Sequence, residues 1–100
     1  MIGPAVGTRG PVVRAVEFRL SARRIPDARR VAPVGEFNAW DPAAHPMHRG
    51  RKGDWSVVVD LPTGVYAYLF LVDGAWYNDP ADDGRIPSGW GNEYSLRVVR

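Results

Sequence analysis

Short stretches in which every second residue is apolar constrain the fold of this chain more than any other feature. Two such stretches cover residues 14–20 and 55–61. The apolar residues that share one face are Val16, Phe18, Leu20, Trp55, Val57, Val59 and Leu61. A period of two is typical of a β-strand with one buried face. Because no stretch keeps a helical period over three turns, the pattern predicts an all-β fold.

Turn-forming residues separate the predicted strands. Asp73 and Gly74 follow a nearly continuous apolar run at 65–72, which is typical of a central strand that is covered on both faces. Further strands are predicted at about 28–34, 75–77 and 94–99, and Pro33 indicates that the first of these lies at a sheet edge or bends there. Residues 35–53 and 81–92 are predicted to be long loops. Six or seven short strands favour an immunoglobulin-like β-sandwich, with a small OB-type barrel as the alternative.

The expected core follows from the same alternation. Besides the residues named above, Phe70 and Val72 are predicted to be buried. Tyr68 should bury its ring and find a partner for its hydroxyl, because a buried polar group without a hydrogen bond is costly.

Length and composition narrow the class of protein. A chain of 100 residues suits one domain, predicted here at 12–100, with residues 1–11 as a flexible N-terminal arm. A net charge of +2, from 13 basic and 11 acidic residues, does not favour a nucleic-acid or membrane partner. The absence of Cys excludes disulfides, thiolate catalysis and Cys-ligated zinc. Neither a signal peptide nor a membrane-spanning stretch is visible, so a cytoplasmic location is expected.

An ordered series of motifs carries a family resemblance. VGEFNAWDP at residues 34–42 resembles the GxFNxW signature of carbohydrate-binding module family 48. Matching residues follow at 46–47, 53–55, 61–76, 79–80 and 91–92, so that the resemblance extends over about 16–99. This family includes the glycogen-binding domain of the AMP-activated protein kinase β subunit and the N-terminal modules of branching and debranching enzymes. The resemblance implies an early-set, immunoglobulin-like sandwich that binds α-glucan.

The chemistry of a glucan makes tryptophans candidate sugar-binding residues. A sugar ring has an apolar C–H face on which an indole can stack, and a rim of hydroxyls that amide side chains can satisfy. Position alone leaves Trp40 as either a ligand plate or a loop anchor, and Trp76 is a similar case. The resemblance implies that both stack on sugar, with Trp90 and Asn92 as further contacts, whereas the alternation places Trp55 in the core. We expect Trp40 and Trp76 on one solvent-facing side, with Trp90 or Asn92 at its rim.

Two positions depart from the kinase-type pattern. Leu69 stands where those modules carry a sugar-contacting Lys, and Tyr94 stands where they carry a sugar-contacting Asn. Since polar contacts are lost while aromatic plates remain, we expect weak binding of a short malto-oligosaccharide, on the order of micromolar to millimolar.

Catalytic and metal-binding constellations are not supported by the spacing of residues. His45 and His48 lie in a loop without a third ligand of defined spacing. Asp79, Asp82 and Asp83 are interpreted as turn-forming acids, because glycoside hydrolysis needs two carboxylates facing each other across a cleft. We therefore expect no enzyme activity, no cofactor and no metal.

Three functions remain open from the sequence. The first is a non-catalytic module that binds α-glucan polysaccharide or malto-oligosaccharide. The second is a protein-interaction or structural early-set module that has lost sugar binding. The third is a single-stranded nucleic-acid binder that uses aromatic residues on a β surface. The resemblance favours the first, and it allows a glycogen-metabolising enzyme as a protein partner.

Overall fold

The computed structural model describes residues 12–100, and the predicted arm at 1–11 lies outside the described residues. The strands are β1 (Val13–Leu20), β2 (Val31–Gly35), β3 (His48–Arg49), β4 (Trp55–Pro62), β5 (Gly64–Val72), β6 (Ala75–Tyr77), β7 (Gly84–Pro87) and β8 (Glu93–Val99). A 3-10 helix, Glu36–Asn38, follows β2. Within this part of the chain no helix is long and apolar enough to cross a membrane.

All strand pairs in the two sheets are antiparallel. The first sheet has the order β1-β4-β3, and the second has the order β2-β5-β8-β7 with β6 paired to β5. Buried side chains from both sheets form one hydrophobic core. The prediction of an all-β sandwich is therefore confirmed. Pro33 lies in β2 at an edge of the second sheet, one of the two predicted placements, where a residue without an N–H is tolerated.

Both predicted loops contain regular structure, so the prediction of continuous loops was wrong there. Residues 35–53 hold the 3-10 helix and the two-residue β3, and residues 81–92 hold β7. β7 is an edge strand that pairs only with β8, and Arg85, Ile86 and Pro87 are all exposed. A strand of four residues with no buried face carries no alternation to detect. The strand predicted from Ala28 begins later, at Val31, and Ala28 is buried within the preceding turn.

The core lies between the two sheets, largely as the alternation predicts. Nine of the ten predicted core residues are buried: Val16, Phe18, Leu20, Trp55, Val59, Leu61, Tyr68, Phe70 and Val72. Val57 is only half-buried but still packs against them. Trp55 retains 7% exposure, which confirms its core placement. The Phe18 ring meets the Tyr68 ring edge-on at a centroid distance of 5.1 Å.

A buried polar network joins β5 and β8 to the loop that follows β6. The Tyr68 hydroxyl donates to Asp79 Oδ2 at 2.6 Å, which confirms the predicted partner for this phenol. Asp79 is fully buried and also accepts from the Ala81 N–H at 2.8 Å, so it forms a turn, as expected, and anchors the core as well. Arg97 Nη2 lies 3.4 Å from the same carboxylate. Burial and the Asp79 carboxylate both raise the pKa of Tyr68 above its ordinary value.

Candidate functional site

The turn after β2 fixes the first tryptophan. Asn38 Oδ1 accepts from the backbone N–H of Gly35 at 3.0 Å, and Asn38 Nδ2 donates to the carbonyl of Pro33 at 3.0 Å. Gly35 has no room for a side chain, since a Cβ there would lie 2.4 Å from the carbonyl oxygen of Ala67. The ring of Phe37 stacks on the core at 5.0 Å from Phe18. The 34–42 motif therefore encodes a rigid platform before Trp40 is reached.

Trp40 itself sits in an unusual backbone conformation. Its φ of 59° and the 54° of Ala39 are both left-handed, which costs free energy for residues with a side chain. The Trp40 N–H donates to the carbonyl of Gly35 at 3.0 Å and so closes the turn. The indole packs against Tyr94 of β8 at a centroid distance of 5.0 Å, yet 38% of the residue remains exposed. Strained, partly exposed residues of this kind are frequent at functional sites.

A hairpin positions the second tryptophan. Asp73 and Gly74 both have positive φ, 48° and 86°, as the predicted tight turn requires. β6 returns beside β5, which places Trp76 opposite Leu71. Because Phe70 and Val72 face the core, the alternation puts Leu71 and Trp76 on the outer face of the second sheet. Trp76 is 52% exposed there.

The loop between β7 and β8 carries the other two predicted residues. Ser88 Oγ accepts from the Trp90 N–H at 3.0 Å and donates to the side-chain oxygen of Asn92. Gly89 and Gly91 adopt positive φ on either side of Trp90, a conformation that suits glycine. Trp90 is 83% exposed, the highest fraction among the exposed large hydrophobic residues of the described chain. The loop is thus locally ordered while its indole projects from the surface.

The structure brings all four predicted residues into one groove. A cavity of about 330 Å³, here called the tryptophan groove, is lined by Trp40, Leu69, Trp76, Trp90, Asn92 and Tyr94. None of these side chains carries a charge. The arrangement matches the expected sharing of one solvent-facing side by Trp40 and Trp76. Their role as sugar contacts stays a prediction.

Two further lining residues gain a role that the sequence did not assign to them. Tyr68 is paired with Ser95, so the antiparallel register brings Leu69 and Tyr94 side by side on the outer face. Leu69 is 6% exposed and forms an apolar floor, while Tyr94 supports Trp40. The alternation of β5 and β8 could have placed both residues on this face, but their cross-strand register is not readable from the chain.

The other candidate clusters are spread over the domain. His45 Nδ1 lies 3.1 Å from Asn38 Nδ2 and supports the Trp40 turn, and His48 is exposed on β3. Asp82 pairs with Arg85, and Asp83 accepts from a backbone N–H of β8. Across residues 12–100 no group of three His, Cys, Asp or Glu side chains could hold a metal ion.

Comparison with known proteins places this chain in a family. Residues 25–85 match the family described as the glycogen recognition site of AMP-activated protein kinase. The chain belongs to this family. The matched segment contains Trp40, Leu69 and Trp76, whereas Trp90, Asn92 and Tyr94 lie beyond its end. The predicted resemblance is thereby confirmed for the platform and hairpin that build the core of the groove.

Individual curated proteins match this chain over a short segment. The chain is 47% identical over 59 residues to the 1,4-alpha-glucan branching enzyme GlgB 2 of Xanthomonas campestris pv. campestris (strain 8004), a match that covers 57% of the chain and 8% of the enzyme. It is 40% identical over 48 residues to the 5'-AMP-activated protein kinase subunit beta-1 of Sus scrofa, which covers 48% of the chain and 37% of the subunit. The chain thus spans well under half of each relative.

Proposed function

We propose that this chain is a non-catalytic α-glucan-binding module and that the tryptophan groove is its binding site. The observation that carries the proposal is the convergence of three exposed or half-exposed indoles, from three separate loops and strands, on one uncharged groove. Exposed indoles lower solubility, so a cluster of them favours a ligand-binding role. Membership of a glycogen-recognition family supports carbohydrate as that ligand.

The lining of the groove suits a neutral sugar chain. Trp40 and Trp76 come from different elements and offer two plates for the C–H faces of successive rings, and Leu69 supplies an apolar floor between them. The amide of Asn92 and the phenol of Tyr94 supply hydrogen-bonding groups for hydroxyls. Tyr94 therefore offers a polar group in place of the Asn of kinase-type modules, whereas Leu69 offers none in place of their Lys.

The groove lining argues for binding without catalysis. Glycoside hydrolysis needs a pair of carboxylates on either side of the scissile bond. The six side chains that line the groove include no carboxylate and no histidine. A partner protein would therefore have to catalyse any reaction of the bound glucan. Because several relatives are named as branching enzymes, a glycogen-metabolising enzyme in the cytoplasm is the partner and location that we propose.

A nucleic-acid ligand is the competing use of exposed aromatics. Binding of single strands relies on cations that follow the phosphates, and no Lys or Arg lines the groove. Salt dependence separates the two ligands, because stacking on a neutral sugar hardly responds to salt whereas phosphate binding weakens steeply.

Retention on immobilised glycogen tests the proposal. The wild-type chain should be retained equally at low and high salt, and Trp76→Ala should abolish retention without a change in fold. Tyr77→Ala is the matched control, because Tyr77 follows Trp76 in β6, is 43% exposed and does not line the groove. Failure of the wild type to be retained on glycogen or amylose, or equal loss in both variants, would contradict the proposal.

A further inference from the structure

One end of the sandwich carries most of the positive charge. β1 ends there, β4 begins there, and β5 ends there in the Asp73–Gly74 turn. The loops at 21–30, 49–54 and 73–74 form this basic end. Its cations are Arg23, Arg24, Arg29, Arg30, Arg49, Arg51 and Lys52. Seven cations stand against three acids, Asp27, Asp54 and Asp73, which gives a net +4, whereas the whole chain carries +2. The remainder of the chain is therefore acidic.

Two of the three acids at the basic end accept hydrogen bonds from backbone N–H groups. Asp73 accepts from the N–H groups of Arg29 at 3.1 Å and Arg30 at 2.8 Å. Asp54 Oδ1 accepts from the N–H of Ala22 at 3.2 Å. The ion pairs of the described chain join Arg85 to Asp82 and Arg97 to Asp79, and none involves a cation of the basic end. All seven cationic residues of the basic end are exposed, so they are open to an external anion.

An apolar groove opens beside these cations. The basic-end groove has a volume of about 770 Å³, and its walls include Arg29, Arg30, Pro42, Pro46, Met47 and Leu71. It shares no lining residue with the tryptophan groove, although Leu69 and Leu71 are alternate residues on the same outer face of β5. The two grooves are thus neighbours with different chemistry.

We propose that the basic end binds an acidic segment of a partner protein, with an apolar side chain of that segment seated in the basic-end groove. The planar guanidinium of Arg can donate two parallel hydrogen bonds to one carboxylate. The apolar walls can hold an aliphatic or aromatic side chain of the partner. The one aromatic residue in the lining, Trp55, is buried, so the groove offers no exposed plate for a sugar or a nucleobase. A peptide fits this combination better than a glucan or a nucleic acid does.

Binding at the basic end does not depend on the tryptophan groove. An acidic segment held there would leave the three exposed indoles open, so that one small domain could hold a glucan and a protein together. Such tethering raises the effective concentration of the partner near the glucan without any new contact between them.

Selection from a random-sequence peptide library displayed on phage tests the proposal on the whole chain. Enriched peptides should combine several Asp or Glu with an apolar residue, and the selected peptide, made synthetically, should shift the indole signal of Trp55 rather than that of Trp76. Its affinity should fall with salt, since charge attraction contributes. Selection of no peptide, of basic peptides, or of peptides that shift Trp76 instead would overturn the proposal, as would tighter binding of single-stranded DNA than of the selected peptide.

Charge reversal at the groove gives a second, independent measurement. Arg29→Glu with Arg30→Glu should weaken the selected peptide by about tenfold or more, because both residues line the groove while only their backbone N–H groups bond to Asp73. Arg14→Glu with Arg100→Glu changes net charge equally at the opposite end and should alter affinity by less than about twofold. If the first pair fails to fold, Arg29→Gln with Arg30→Gln replaces it. If both variant pairs weakened the peptide equally, net charge alone would explain the effect, and a specific binding site at the basic end would be contradicted.

Discussion

Removal of a single buried oxygen tests how far the polar network stabilises the fold. Tyr68→Phe keeps the ring that packs against Phe18 but deletes the hydroxyl that donates to Asp79 at 2.6 Å. Asp79 Oδ2 is then left with Arg97 Nη2 at 3.4 Å, a long contact. A hydrogen bond to a charged group contributes about 1.5–3 kcal/mol, and the carboxylate that loses it is fully buried. We therefore expect the variant to be less stable by about 2 kcal/mol at neutral pH.

The pH dependence of that difference has a definite sign. Burial and the Asp79 carboxylate raise the pKa of Tyr68 above its ordinary value of 10.0, so the folded state holds the phenol proton more tightly than the unfolded state. The stabilisation is complete below pH 10.0 and decreases as pH rises further, by about 1.4 kcal/mol per pH unit. Phe at this position cannot ionise, so the advantage of the wild type over the variant should shrink in alkali.

Urea unfolding of both proteins at neutral pH and at about pH 11 measures this change. The other titrating groups are common to both proteins and cancel in the difference. Equal stability of wild type and Tyr68→Phe at neutral pH, or a difference that stays constant into alkali, would refute the assigned hydrogen bond.

Three further substitutions test the core and the platform under Trp40. Phe70→Ala should lower the free energy of unfolding by about 3–5 kcal/mol through lost burial and a residual cavity, and a small shift in the urea midpoint would contradict its central placement. Gly35→Ala should cost about 1–3 kcal/mol by calorimetry, since the new Cβ meets the Ala67 carbonyl, and an unchanged melting temperature would exclude that clash. Asn38→Ala should cost about 1–3 kcal/mol and weaken glycogen retention by loosening Trp40, whereas full retention would show that the amide does not hold the turn.

Local patterns predicted most of the core and six of the eight strands in residues 12–100, all except β3 and β7. Alternation placed Phe18, Val59 and Leu61 inside, and the Asp73–Gly74 dipeptide predicted the hairpin that presents Trp76. Both signals arise from neighbours in sequence, because a strand's two faces and a tight turn's φ angles are set locally.

Pairing between distant segments could not be predicted in the same way. β7 has no buried face, so nothing in its four residues marks it as a strand before β8 lies beside it. The contact between the Tyr94 and Trp40 rings and the burial of Asp79 depend on the register of β8, which cannot be predicted from the sequence. The role of Leu69 as a groove floor follows from the same register, and so appeared first only as a departure from the family pattern.

The four tryptophans report directly on whether glucan binds in the tryptophan groove. Each should give one indole N–H signal in a proton–nitrogen correlation spectrum, and maltoheptaose is the titrant. If glucan binds in the tryptophan groove, the signals of Trp40 and Trp76 should shift progressively, Trp90 should shift less and Trp55 should stay constant, with saturation on the order of micromolar to millimolar sugar. No shift of Trp40 and Trp76 at tens of millimolar sugar, or shifts confined to Trp55, would contradict glucan binding in the tryptophan groove.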